Sequence, residues 1–417
     1  MLHPSWKDLF SFGDTARGGI LCALAVLLAT PAWGQSPAYR TQGQCDGLPA
    51  ITSLQVAPEF CLALAASNLG RPRGVLALSA NRLLVTDMGN WNPGHGRLLE
   101  LTREPGKPFK VTVLLKGLDR PHGLRKDAQG HVLLAEAHQI SRVELSPARL
   151  QPFITGLPTQ GRHPLKSFAI DATGALFVNY GAPSDHCEAM DGVEAGTAQG
   201  CGQTAGKAPL AAVWRFTPKS GDKGGDAWEG QPFAWGLRNS VGLAFHPDSG
   251  ALWQAENSRD SLPGDKYDKA SPPDELNRVE QGRHYGWPHC TGNDILDASY
   301  GERRCQTFTA PVKLLPAHAA PLGMLFYGKG GPAAWQGALV MTWHGYQPTG
   351  HRLMAWRFDA KHQPVGEPLP LIEGWNALTG KHPMGAPTDV DQDEQGRLWI
   401  TEDRNGDLLL LAPRASK

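Results

Sequence analysis

The sequence predicts an all-β fold: a six-bladed β-propeller with disulfide-stapled loop insertions. Three observations carry that expectation. A short apolar motif recurs six times, amphipathic periodicity near 3.6 residues is weak, and 49 glycines with 34 prolines favour turns over long helices.

Each recurrence is a turn containing Asp, Asn or Gly, then a short run rich in Leu, Val, Trp and Phe, then a polar or acidic stop. The six are Asn81–Asp87, Gly130–Glu136, Gly174–Asn179, Gly250–Glu256, Gly337–Thr342 and Gly396–Glu402. Most follow another short strand, at Val75–Leu78, Phe168–Ile170, Val241–Phe245 and Thr388–Val390. Asp-Ala-Gln-Gly, Asp-Ala-Thr-Gly, Pro-Asp-Ser-Gly or Asp-Glu-Gln-Gly forms the turn between the two. Two such runs joined by a tight turn read as a hairpin. The motifs begin 49, 44, 76, 87 and 59 residues apart, and a mean of about 60 suits a four-stranded blade with decorated loops. The two longest intervals hold Cys187 with Cys201 and Cys290 with Cys305, so stapled insertions account for the excess length without a second domain.

Ahead of the repeats, residues 1–34 read as an export signal. Lys7 and Arg17 form a basic region, Gly18–Ala29 is apolar but too short to span a bilayer, and Ala32 and Gly34 suit cleavage before Gln35. The expected location is the periplasm. No later segment is long and apolar enough to cross a membrane. Residues 35–65 are read as an N-terminal segment closed by a disulfide, and 66–417 as the propeller.

Of seven cysteines, Cys22 leaves with the signal, and six remain in an oxidising compartment. Cys45 with Cys61, Cys187 with Cys201 and Cys290 with Cys305 are local pairs, each closing a loop of about 15 residues. Zinc is the competing reading, but no Cys-x-x-Cys spacing exists. Six cysteines admit 15 pairings in principle. Forty basic residues balance 40 acidic ones without any long like-charge block, which leaves nucleic acid or an anionic membrane unsupported as a partner.

The richest stretch is Trp235-Gly-Leu-Arg-Asn239 running on to His246-Pro247. Glu256-Asn-Ser-Arg-Asp260, Asp274-Glu-Leu-Asn277 and Tyr285-Gly-Trp-Pro288 follow it. With Pro121-His-Gly-Leu124, His163-Pro-Leu-Lys166, His318-Ala-Ala-Pro-Leu-Gly323 and His344-Gly345, these words span nearly all of the chain after the signal. They resemble the soluble pyrroloquinoline-quinone (PQQ)-dependent glucose and sorbosone dehydrogenases, more closely the sorbosone branch. The resemblance implies oxidation of an aldose or related sugar aldehyde, with PQQ and calcium as cofactors and a periplasmic electron acceptor.

It also implies roles for residues. His163 matches the family base that takes the sugar hydroxyl proton while hydride goes to the quinone, a task suited to an imidazole. Arg238 and Asn239 match the pair that holds the quinone, the guanidinium fork suiting a carboxylate in two-point fashion. Ser258 and Arg259 match the main-chain carbonyl donors to calcium, an ion that prefers oxygen. Lys166, His344 and His122 match polar positions lining the same channel, as further cofactor contacts.

Two departures stand out. The glucose branch carries a Gly-Asp pair whose aspartate orients the histidine, whereas Tyr180-Gly181-Ala182 has no acid until Asp185. The last blade opens on Lys381-His-Pro-Met without the family's arginine, so one cofactor cation is missing or replaced by Lys381. Two other functions stay open: a six-bladed calcium-dependent lactonase drawing on Glu256, Asn239 and Asp389, and a non-catalytic binding propeller.

Overall fold

The computed structural model describes residues 39–414 apart from 191–193, 198–199, 220–226, 265, 293, 302 and 376–384. The expected export signal and Lys381 lie outside the described residues. Six antiparallel sheets of four to six strands form the propeller. The first strands of the blades, taken in chain order, are Pro72–Ser79, Leu124–Lys126, Phe168–Ile170, Gly242–Phe245, Pro321–Phe326 and Pro387–Gln392. The six sequence motifs are the second strands: Arg82–Asp87, Val132–Ala135, Leu176–Tyr180, Leu252–Glu256, Leu339–Trp343 and Leu398–Glu402.

The turn chemistry between first and second strands is repeated around one face. Asp127 Oδ1 accepts from the amides of Gln129 and His131, Asp171 Oδ1 from Thr173 and Ala175, and Asp393 Oδ1 from Gln395 and Arg397. Gly130, Gly174 and Gly396 close these turns at φ of 88°, 86° and 74°, a region that costs glycine no Cβ clash.

Because side chains alternate across a strand, each second strand feeds two cores. Leu83 and Val85 pack toward blade 6 while Leu84 packs toward blade 2; Leu398 and Ile400 pack toward blade 5 while Trp399 packs toward blade 1. One hydrophobic cluster lies between every pair of consecutive blades. Burial on both faces is why these strands read as unbroken apolar runs.

Residues 39–65 are not separate from the ring. Phe60–Ala66 pairs with Asp407–Pro413 as the fourth strand of blade 6, and Leu48–Ile51 and Thr41–Cys45 extend that sheet to six strands. Gln55–Val56 adds a fifth strand to blade 5. The three cysteine pairs are formed as expected, at Cα separations of 5.7, 6.2 and 5.7 Å.

The two stapled insertions meet on the face opposite the Asp-Gly turns. Cys187, Cys201, Trp287 and Tyr300 share a small core there. Trp287 Nε1 donates to the Asp185 carbonyl at 2.8 Å.

Candidate functional site

On that face, residues that precede a first strand or follow a second strand converge around the axis. A cavity of about 450 Å³ opens there, lined by Arg162, His163, Arg238, Asn239, Ser258, Asp260, Asp274, His318 and His344 with the exposed aromatics Trp91, Tyr267 and Tyr346. A chamber of about 150 Å³ shares His163, Asn239 and His344 and adds Arg73, His122, Leu165, Val241 and Leu322. Leu165, Val241 and Leu322 stand two residues beyond His163, Asn239 and Ala320, one pleat further along three first strands. Further in, Arg125 of blade 2 grips Asp389 of blade 6 at 2.9 and 3.2 Å.

His163 is half-buried, and its Nδ1 lies 2.5 Å from the Ala182 carbonyl oxygen. A carbonyl only accepts, so Nδ1 carries the proton and Nε2 keeps the lone pair. The orienting group that the sequence lacks as an acid is thus a main-chain carbonyl. It is fixed in turn, because the Ala182 amide donates to the Arg238 carbonyl at 2.7 Å. Burial, reinforced by the Arg238 charge, pushes the His163 pKa down to about 3, so the imidazole is neutral at neutral pH. Gly181 is required beside it, since a Cβ there would sit 2.5 Å from the His163 Cβ.

Arg238 does not present the free fork that its motif implies. Its Nη2 contacts Asp185 Oδ1 at 2.6 Å and Asp260 Oδ1 at 3.3 Å, Nε donates to the Asp185 carbonyl, and Nη1 donates to the Asn257 carbonyl. Two-point binding of a ligand carboxylate is therefore blocked by the protein's own acid, and Arg238 braces the cavity wall while lending it positive charge. Asp185 is held below the usual carboxylate range, despite its burial, chiefly by the Arg238 charge. Arg162, unremarked in the sequence, stands at the rim and bridges to Asp260 at 3.1 Å.

Lys166 also departs from its expected role. It is buried behind the wall, and Nζ donates to the carbonyls of Pro158 and Pro164 at 2.7 Å each. The alternation of the chain carries it to the other side from His163 and Leu165. His122, Asn239 and His344 do reach the cavities, and His344 Nε2 lies 3.0 Å from Asp403 Oδ1.

The Glu256–Asp260 turn is held from within. The amides of Asn257, Ser258 and Asp260 donate to the Asn239 carbonyl, Asp274 Oδ1 and Asp185 Oδ1. Ser258 lines the cavity, with its Oγ buried and unpartnered among the described residues, and the main-chain carbonyls of this turn are the oxygens that suit a hard cation. Arg259 directs its side chain away, to Asp297 at 2.7 Å. For the quinone, a polyanionic planar molecule, the wall offers Arg162, Arg238 and Asn239, and the chamber an unpartnered His122 Nε2. This donor set fits such a group. The lactonase cage does not assemble: Asp389 is engaged by Arg125, and Glu256 Oε1 is engaged by the Arg238 amide within the wall.

A family model described as TrAA12-like matches residues 151–414. A PQQ-dependent sugar dehydrogenase of Hypocrea jecorina (strain QM6a) is 24% identical over 403 residues, covering 84% of this chain and 87% of that protein. An uncharacterised Borreliella burgdorferi protein is 30% identical over 178 residues, 41% of this chain and a little under half, 45%, of its own length. Among solved structures, a family AA12 enzyme of Trichoderma reesei superposes with a TM-score of 0.69 at 19% identity, over 90% of this chain and all of that one. The holo PQQ domain of pyranose dehydrogenase from Coprinopsis cinerea gives 0.66 at 17% identity, over 87% and 97%. The superpositions show a shared fold.

Proposed function

The chain belongs to the TrAA12-like family, and on that premise we propose that it is a PQQ- and calcium-dependent dehydrogenase oxidising an aldose or related sugar aldehyde. One observation carries the reading: a neutral histidine, His163, held by a main-chain carbonyl with its basic nitrogen free, at the junction of a polar cavity and its inner chamber. Arg162, Asn239 and His122 would hold the quinone, and the main-chain carbonyls of Ser258 and Arg259 the calcium. When bound, the pair supplies a hydride acceptor and the charge that polarises it. His163 Nε2 takes the proton of the sugar hydroxyl, and the Ala182 carbonyl steadies the imidazolium that results. Asp274, which pins Ser258 and Ala320 by their amides, keeps the wall opposite His163 in register. The same reading places the chain in the periplasm, after cleavage at Gly34, with electrons leaving to an acceptor there. It also retains the sorbosone-like branch.

The test incubates the purified chain with calcium and PQQ, then applies gel filtration and an absorption spectrum. Retained quinone and its reduction by an aldose are expected. His163→Gln should lower turnover by about 10²–10⁴-fold at nearly unchanged quinone affinity. A chain that holds no quinone would return the binding-module reading to first place.

A further inference from the structure

Two buried side-chain nitrogens at the blade 1–2 side of the chamber have no hydrogen-bond partner among the described residues. They are Arg73 Nε and His122 Nε2, on side chains that are 5% and 4% exposed. Arg73 engages Asp403 Oδ2 through Nη2 at 3.1 Å, and the other oxygen of Asp403 meets His344. The acid that neutralises Arg73 thus leaves its Nε–H free. An Nε–H can only donate. Burial and the Arg73 charge keep His122 neutral, with a pKa pushed down to about 3, so one of its ring nitrogens carries an N–H. An unpaired buried polar group is costly, and here the Arg73 Nε–H and an unpartnered His122 ring nitrogen line one chamber of about 150 Å³ that shares residues with the larger cavity.

We propose that Arg73 and His122 form a receiving floor for one carboxylate of a ligand bound in the cavity. No motif marks Arg73, which sits between Pro72 and Gly74. It supplies a fixed, buried cation on the first blade. The carboxylate has two possible sources, and both share the chemistry: the quinone, if the proposed function holds, or an acidic sugar.

The experiment uses the full chain in calcium and compares wild type with Arg73→Lys, which keeps a charge for Asp403 but removes Nε–H, and with His122→Phe. Two readouts apply: tryptophan-fluorescence titration with PQQ, and the melting temperature of quinone-free protein with benzene-1,3-dicarboxylate or gluconate. For a quinone carboxylate, both variants weaken PQQ binding tenfold or more and abolish the stabilisation by benzene-1,3-dicarboxylate. For a sugar acid, gluconate stabilisation is lost and PQQ affinity stays. If either variant misfolds, the other carries the test. Wild type that is stabilised by benzene-1,3-dicarboxylate yet holds no PQQ would sink the proposed function and leave the floor standing. Unchanged binding of all three probes in both variants would overturn the floor.

Discussion

The two sides of the mouth are built on opposite terms. On the blade 3–4 side, Arg238, Asp185 and Asp260 satisfy one another, and the stapled insertions pack over them. On the blade 1–2 side, Arg73 and His122 are as deeply buried but each keeps a nitrogen unengaged among the described residues. The difference teaches how to read a buried cation in a cavity: the one whose donors are all taken supports the wall, and the one with a donor left over receives a ligand. His163 stands between them.

The comparison breaks first at Arg238. Removing one partner of a buried ion pair leaves the other uncompensated, so Arg238→Met should lower the unfolding free energy by about 3–5 kcal/mol in urea titration. A loss under about 1 kcal/mol would make Arg238 a ligand group after all. Next comes the cover over that side: replacing Cys290 and Cys305 together by serine should cost about 3 kcal/mol, read as a loss of unfolding free energy in urea titration.

His122 sharpens the contrast through pH. The folded chain holds it neutral with a pKa of about 3, whereas the unfolded chain binds its proton below about 6.5. Stability from this group is therefore full above pH 6.5 and is lost as pH falls toward 3. Buried acids oppose the trend, because Asp274 and Asp407, with pKa values pushed up to about 7 by burial, favour the folded state as pH falls. The His122→Phe variant isolates the histidine: at pH 5 it should be on the order of 2 kcal/mol less acid-sensitive than wild type. Equal pH profiles by calorimetry would show His122 to be charged when folded.

The smallest effect is expected at Gly181. Gly181→Ala forces His163 from its carbonyl, so turnover should drop about tenfold, roughly 1.4 kcal/mol in barrier, while quinone retention is unchanged. Unaltered turnover would mean that the Ala182 contact does not position the base.

The hairpins were legible because their second strands are apolar on both faces and their turns carry Asp-x-x-Gly chemistry. The first strands of blades 2 and 5 were not. Leu124–Lys126 has three residues, two of them charged, and Pro321–Phe326 slips register between Pro321 and Met324. At the site, His163 and Asn239 were legible from motif position. Lys166 misled because a motif does not tell which side of the chain faces the channel. Ala182 was hidden because its contribution is a main-chain oxygen, which any residue type could supply.

The pairing of Phe60–Ala66 with Asp407–Pro413 has a kinetic consequence. Arg414 and Phe60, joined at this seam, are 354 residues apart in the chain, so the ring closes by one of its most distant contacts. Such contacts form slowly. During synthesis the outer strand Phe60–Ala66 emerges first and has no partner until the last blade has followed it, and its open edge is exposed to other chains meanwhile. Late zipping of this seam therefore sets both the pace of maturation and the moment of greatest risk of aggregation.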